Sequence, residues 1–272
     1  MDYYFPFDEL RTFQKEFMDG VYDTLLDKKN LLVHAPTGVG KTVSVLAPVL
    51  KFAVEEKKVV FFLTTRNTQH MIAVETMKAI KDKFGLDAVV DLMGKKKMCS
   101  QSGIDMLTSG EFSQYCKHLK EKDECEFYMG MKKNGKLSIG VQSTLEKLKT
   151  ASPQMVPDFK EACQGYCPHE MAMLMSKDAV AVVADYNYII NPMIRKTILL
   201  RMGKKMEDCI FIFDEAHNLP ARSRDEMSVS LSSRVLVWAA KECKDYGHGD
   251  VETQLMNFYH RLERLGQEKI TE

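Results

Sequence analysis

Apolar residues gather in short unbroken runs along the chain, and between them lie segments whose apolar positions recur every three or four residues. Unbroken runs of β-branched and aromatic residues suit strands buried on both faces, whereas the helical recurrence suits elements with one buried side. Strands are predicted over residues 30–35, 59–64, 88–92, 179–184 and 209–213, and helices over 43–54, 71–84, 231–245 and 251–265. Strand and helix alternate up to Leu92, the rhythm breaks from Gly94 to about Lys177, and it resumes with an Ala-Val-Ala-Val-Val-Ala run. This order predicts an α/β domain built on a parallel sheet and interrupted by an insertion.

Composition narrows the partners. At 272 residues the chain suits one large domain or one domain with sizeable insertions. Its 38 basic and 38 acidic residues cancel, so any nucleic-acid surface must come from local clustering. Candidates are Lys95 to Lys97, then Lys132, Lys133 and Lys136, then Arg201, Lys204 and Lys205, each of which also suits a solvated loop. No apolar stretch approaches the roughly 20 residues that span a bilayer, and Met1-Asp2-Tyr3-Tyr4 has no signal-peptide character. The expectation is an intracellular protein with no membrane partner, cytoplasmic in a prokaryote or nuclear in a eukaryote. In a reducing compartment the seven cysteines argue for ligands or buried thiols, with Cys209 and Cys243 expected among the buried ones.

The run Ala35-Pro36-Thr37-Gly38-Val39-Gly40-Lys41-Thr42 joins a predicted strand to a predicted helix. Glycines at Gly38 and Gly40 let consecutive backbone N–H groups turn toward an anion where a Cβ would block the turn. Lys41 is placed to meet β/γ-phosphates, and the Thr42 hydroxyl to bind Mg²⁺. A Gly-rich turn alone would equally be an ordinary connection. Phe213-Asp214-Glu215-Ala216-His217 supplies its counterpart, because the strand at 209–213 delivers Asp214 and Glu215 to a carboxyl-terminal sheet edge, where ligands bind. Asp214 would hold Mg²⁺, directly or through water, and Glu215 would orient or deprotonate the attacking water.

Together these two segments resemble superfamily 2 helicases, in which Ala stands where the generic phosphate-loop pattern has its first glycine and Asp-Glu-Ala-His is the magnesium motif. The resemblance implies a RecA-like P-loop NTPase fold with helices on both sheet faces, and ATP with Mg²⁺ as ligands. It places Thr37 to Thr42 around the phosphates and makes His217 a coupling residue between nucleotide and nucleic acid. Phe5-Pro6-Phe7 with Arg11 and Gln14 resembles the adenine-reading segment, and Thr64-Thr65-Arg66 the motif that touches a nucleic-acid backbone.

Within the interruption lie Cys99, Cys116, Cys125, Cys163 and Cys167. Between Cys99, Cys116, Cys125 and Cys167 stand 16, 8 and 41 residues, and no C-x-x-C occurs, so spacing alone does not specify a metal. The local wording is more specific: Gly94-Lys95-Lys96-Lys97-Met98-Cys99, Cys125-Glu126-Phe127-Tyr128, Cys167-Pro168-His169-Glu170, and Tyr186-Asn187-Tyr188-Ile189-Ile190-Asn191-Pro192. These segments are similar, in order and content, to the iron–sulfur region of the XPD/Rad3 family, in its archaeal type. The resemblance implies a [4Fe–4S] cluster held by Cys99, Cys116, Cys125 and Cys167, with Cys163 an alternative fourth ligand and zinc on the same thiolates an alternative metal. It also implies single-stranded DNA and single-to-double-strand junctions as partners, and Thr65, Arg66 and Lys95 as nucleic-acid contacts.

Three departures stand out: Lys95 occupies an arginine position, His169 replaces a tyrosine, and the interval from Cys116 to Cys125 is short. The implied organisation is a first part of the motor domain at 1–93, the cluster insertion at 94–177, the motor's second part at 178–221, and the start of a helical arch at 222–272. On this reading the chain lacks a second motor domain and its arginine finger, a group worth about 10³ to 10⁵ in rate. The expectation is a chain that binds ATP–Mg²⁺ yet hydrolyses it slowly, from an ATP-dependent DNA helicase acting in repair. The alternatives are a related iron–sulfur helicase acting on R-loops or replication blocks, and a non-motor ATP- or nucleic-acid-binding fragment.

Overall fold

The computed structural model describes residues 2–36, 38–65, 67–86, 88–133 and 135–270, with the side chains at 67 and 270 outside the description. Before the sheet come α1 (Gln14–Leu26) and α2 (Lys41–Glu55). The main sheet contains β1 (Val59–Thr64), β2 (Val89–Leu92), β5 (Ala181–Asp185) and β6 (Cys209–Phe213), while β3 (Lys132–Lys133) and β4 (Lys136–Leu137) form a separate short hairpin. The four main strands are parallel in the order β2-β5-β1-β6, with Phe61 opposite Val182 on one side and Phe211 on the other.

Alternation along each strand sends neighbouring side chains to opposite faces. Val60, Phe62, Val89, Ala181 and Val183 face α1, α2 and α3 (Asn67–Phe84), whose Val21, Leu46, Leu50, Val74 and Met77 complete that core. Phe61, Leu63, Val90, Leu92, Val182 and Ala184 face the other way. There they meet the insertion, which contributes Met98, Val141, Leu148, Phe159, Cys163 and Met171 to the same cluster. The insertion is therefore continuous with the second face of the sheet. Each fully buried phenylalanine there contributes roughly 1.5–3 kcal/mol.

The insertion is a string of short helices: α4 (Lys95–Met98), α5 (Ser109–Glu121), α6 (Glu126–Met129), α7 (Ile139–Ala151), α8 (Val156–Ala162) and α9 (Pro168–Met175). After β5 come α10 (Asn187–Ile190) and α11 (Pro192–Met202), and after β6 comes α12 (Leu219–Met227). Asn191 caps α11 by accepting from the N–H groups of Met193 and Ile194 at 3.0 and 3.1 Å, with Pro192 at the first helical position. The chain divides into two compact units, residues 1–226 and 227–272. The second consists of α13 (Ser233–Asp245) and α14 (Gly249–Ile270) packed on each other.

Two expectations are corrected. Residues 30–35 form no strand: they run without ladder partners, and Leu32 is 89 % exposed. An apolar run becomes a strand only where a neighbour satisfies its backbone groups. Among the described residues nothing pairs with the outer edge of β6, whose five residues are all only half-buried. Cys209 shares that open edge and Cys243 lies on α13, so both are partly exposed rather than buried.

Candidate nucleotide and cysteine sites

The phosphate loop closes onto α2 through glycines in left-handed conformations, Gly38 at φ +86° and Gly40 at φ +74°. Gly40 precedes Lys41, the first residue of α2, so the loop ends where the helix N-terminus exposes its N–H groups. A Cβ on Gly40 would lie 2.4 Å from Gln14 Nε2, so no larger residue fits beside Gln14 as placed. Gln14 is buried and donates to the Val39 carbonyl at 3.0 Å, while accepting from the Arg11 backbone N–H at 2.8 Å. The Arg11 guanidinium donates to the Gly38 carbonyl. The segment expected to read adenine thus bonds to the carbonyls of the phosphate loop.

Lys41 Nζ lies 3.9 Å from Glu215 Oε1 and 3.4 Å from the Ala35 carbonyl. The loop and the strand-end carboxylates therefore share one site, although 174 positions separate Lys41 from Glu215 (215 − 41). Asp214 extends the parallel ladder by donating its N–H to the Leu63 carbonyl at 2.9 Å, and Tyr186 donates its hydroxyl to the Asp214 carbonyl. Burial raises the Asp214 carboxyl above its ordinary value, and Glu215 adds to the rise, while Lys41 opposes it. Burial, followed by the charges of Asp214 and Glu215, pushes Tyr186 up to about 12. Glu215 itself sits at φ +55°, a left-handed conformation costly for a non-glycine residue and found preferentially at functional sites. Its other oxygen is 3.3 Å from His217 Nδ1, and the His217 side chain is exposed.

Thr42 follows Lys41 in the first turn of α2 and is half-buried. Thr37 and Arg66 lie outside the described residues. Thr65 sits just beyond β1, at the same sheet edge as Asp214, since Leu63 is the register partner of Phe213. Lys95 opens α4 and is exposed. The basic clusters diverge in role: Lys132, Lys133 and Lys136 sit on the exposed hairpin, whereas Arg201 is spent on Glu170 at 2.5 Å.

The cysteines occupy helix ends and faces that converge. Cys99 follows α4, Cys116 lies on α5, Cys125 precedes α6, Cys163 follows α8 and Cys167 precedes α9. Burial raises the Cys99 thiol, and the neighbouring Cys116 and Cys125 raise it further. Burial pushes Cys167 up to about 11, with Cys125 among the groups acting on it. These influences link Cys99, Cys116, Cys125 and Cys167 into one neighbourhood. Burial pushes Cys163 up to about 12, with Cys167 also acting on it, and the residue belongs to the apolar core cluster. Gln101 approaches two of the thiols, its backbone N–H at 3.5 Å from Cys99 Sγ and its amide at 4.0 Å from Cys125 Sγ.

All seven cysteines are free thiols. Among the described residues no group of three or more His, Cys, Asp or Glu side chains converges closely enough to hold a single metal ion. A four-iron cube separates its ligand sulfurs further than one ion does, and four neighbouring thiols suit it as a donor set. His169 is buried, with its pKa lowered chiefly by that burial, and lies 3.9 Å from Glu170. No helix among the described residues is long and apolar enough to cross a membrane.

A parallel strand that ends in a carboxylate pair beside the lysine opening α2, next to glycines in the left-handed region, forms the frame of a P-loop nucleoside triphosphatase. The match to known proteins is more specific. The chain belongs to the DEAD_2 family, whose model matches residues 64–236. It is 26% identical over 271 residues to a regulator of telomere elongation helicase 1 homolog of Caenorhabditis briggsae, covering 88% of this chain and 26% of that protein. It is 24% identical over 254 residues to the general transcription and DNA repair factor IIH helicase subunit XPD of Arabidopsis thaliana, covering 84% of this chain and 32% of the relative. A solved XPD helicase structure shares the fold, with a TM-score of 0.60 at 20% identity, over 92% of this chain and 40% of its own. The chain thus spans about a quarter to a third of the length of these curated relatives.

Proposed function

We propose that this chain carries the ATP-binding lobe of an XPD/Rad3-like DNA helicase, in which hydrolysis drives movement along single-stranded DNA and strand separation in DNA repair. The observation that carries the proposal is the approach of Lys41 to Glu215 at one sheet edge, with Asp214 alongside. In this reading Lys41 meets the β/γ-phosphates, Thr42 and Asp214 hold Mg²⁺, and Glu215 orients and deprotonates the attacking water. Arg11 and Gln14 hold the loop and read the base, and Thr37 to Gly40 wrap the phosphates. His217, tethered to Glu215, relays the state of the site toward Thr65 and Arg66, which with Lys95 contact DNA at the single-strand to duplex junction. Membership of the family and the curated helicase relatives support this assignment.

The same reading gives the insertion a [4Fe–4S] cluster on Cys99, Cys116, Cys125 and Cys167, leaving Cys163 as a core thiol. When bound, the cluster supplies a rigid, redox-capable cross-link among four helical elements. Hydrolysis at this site is expected to be rapid only when an arginine from a second motor lobe reaches the γ-phosphate.

Equilibrium binding of a fluorescent ATP analogue, followed by ATPase assays with and without single-stranded DNA and an added second lobe, tests the proposal. Expected are Mg²⁺-dependent binding, weakened about 10–100-fold by Lys41→Met through loss of a charge-assisted contact, and DNA-stimulated hydrolysis once the second lobe is present. Binding without any DNA-stimulated turnover in either case would instead identify a non-motor nucleotide-binding module.

A further inference from the structure

Three of the four candidate ligand cysteines carry a companion one helical turn along the chain. Lys120 follows Cys116 by four residues on α5, Tyr128 follows Cys125 by three at α6, and Glu170 follows Cys167 by three at α9. At that spacing each companion shares a face with its cysteine. The companions meet one another. Lys120 Nζ donates to Glu170 Oε1 at 2.8 Å and lies 4.2 Å from the centroid of the Tyr128 ring. From α11, on the sheet side, Arg201 donates to the second oxygen of Glu170 at 2.5 Å.

The charge count of this cluster does not close. Two cations, Lys120 and Arg201, share the single carboxylate of Glu170. One positive charge is left over in a site where the Lys120 and Glu170 side chains are only 23% and 14% exposed. Partial burial weakens screening, so the excess acts on what lies next to it. Lys120 stands one turn along α5 from Cys116, and its partner Glu170 one turn into α9 from Cys167, which sets the ammonium beside both thiol-bearing elements. An uncompensated cation in a half-dry site is costly unless negative charge is brought to it, and thiolates around an iron–sulfur group provide that charge.

We propose that Lys120 is the charge-positioning residue of the cysteine site. Fixed by Glu170, which Arg201 ties to the sheet domain, its ammonium offsets the thiolates of Cys116 and Cys167 and sets the reduction potential and retention of the group they hold. The proposal rests on the iron–sulfur reading above. It is separate from mere scaffolding, because the members of the clamp carry opposite charges. Removing Lys120's charge disfavours adding an electron, whereas removing Glu170's charge favours it.

The test uses the full chain, purified anaerobically as wild type, Lys120→Met, Lys120→Arg and Glu170→Gln. Iron per chain, the midpoint potential from a dye-mediated titration, and the rate of iron loss to a chelator are measured for each. Expected are a potential below wild type for Lys120→Met, above wild type for Glu170→Gln, and close to wild type for Lys120→Arg. Iron loss should quicken about 10–100-fold in Lys120→Met, the range seen when groups supporting metal ligands are removed. Should Lys120→Met fail to fold, the upward shift in Glu170→Gln decides the matter. Iron-loaded variants with unchanged potentials, or shifts of the same sign in Lys120→Met and Glu170→Gln, overturn the proposal while leaving the cluster assignment intact. A wild-type chain without iron overturns the cluster assignment and the proposal with it.

Discussion

Replacing Gly40 with alanine is expected to cost about 2–5 kcal/mol of folding stability, in two parts that can be separated. The first part is backbone: at φ +74° an L-residue pays roughly 1–2 kcal/mol that glycine does not. The second is contact, because the new methyl would stand 2.4 Å from Gln14 Nε2 and force that amide aside. Gln14 would then lose its bond to the Val39 carbonyl at 3.0 Å and its bond from the Arg11 N–H at 2.8 Å. Two neutral hydrogen bonds are together worth about 1–3 kcal/mol. In a Gln14→Ala background the contact part is already gone, so Gly40→Ala should cost only the roughly 1–2 kcal/mol of backbone. Urea unfolding of the four proteins in this cycle reads the difference directly. Equal penalties in the two backgrounds would refute the claim that Gln14 and the loop are in contact. The same cycle run on ATP-analogue affinity reports whether the contact carries through to nucleotide binding.

Other expectations follow from the ionisable groups. Asp214 has a folded pKa raised by burial and by Glu215, so its ionised form is a liability above that pKa and is relieved as pH falls. Asp214→Asn should therefore raise the melting temperature at neutral pH while abolishing Mg²⁺-dependent nucleotide binding, and a lowered melting temperature would contradict this. For Glu170, burial alone would raise the carboxyl, but His169 beside it, the hydrogen bond from Lys120 and the Lys120 and Arg201 charges hold it well below the usual range. The stabilisation is present above the unfolded carboxylate value, about 4.3, and fades as pH falls below it toward the folded pKa. Glu170→Gln should accordingly flatten the loss of stability between neutrality and about pH 3, as followed by circular dichroism. Tyr186→Phe removes the hydroxyl that donates to the Asp214 carbonyl and should cost about 1–3 kcal/mol in urea unfolding. An unchanged midpoint would show that the carbonyl finds water instead.

Much of the sheet was legible because parallel strands buried on both faces are unbroken apolar runs: β1 and β6 fall where the runs at 59–64 and 209–213 predicted. Residues 30–35 have the same character yet form no strand, because apolar content does not reveal whether a pairing partner exists. The loop, the DEAH carboxylates and Gln14 were legible as motifs, and the structure brings them together. Tyr186 was visible only as part of a similar segment; its bond to Asp214 spans 28 positions and leaves no periodic trace. The insertion was opaque for a related reason. Four of its cysteines sit at helix ends, where no recurrence marks them, and the Lys120 to Glu170 pair is 50 residues apart. Arg201, grouped by sequence with Lys204 and Lys205 as a nucleic-acid candidate, is instead paired with Glu170.

The central claim is that the phosphate loop and the cysteine insertion belong to one iron–sulfur helicase lobe, and anaerobic purification followed by metal and sulfide analysis tests it most directly. The account predicts brown protein absorbing near 400 nm, with about four iron and four sulfide per chain, and loss of that band in Cys99→Ser or Cys125→Ser. Colourless protein carrying one zinc per chain, or iron retained unchanged in both variants, would contradict it.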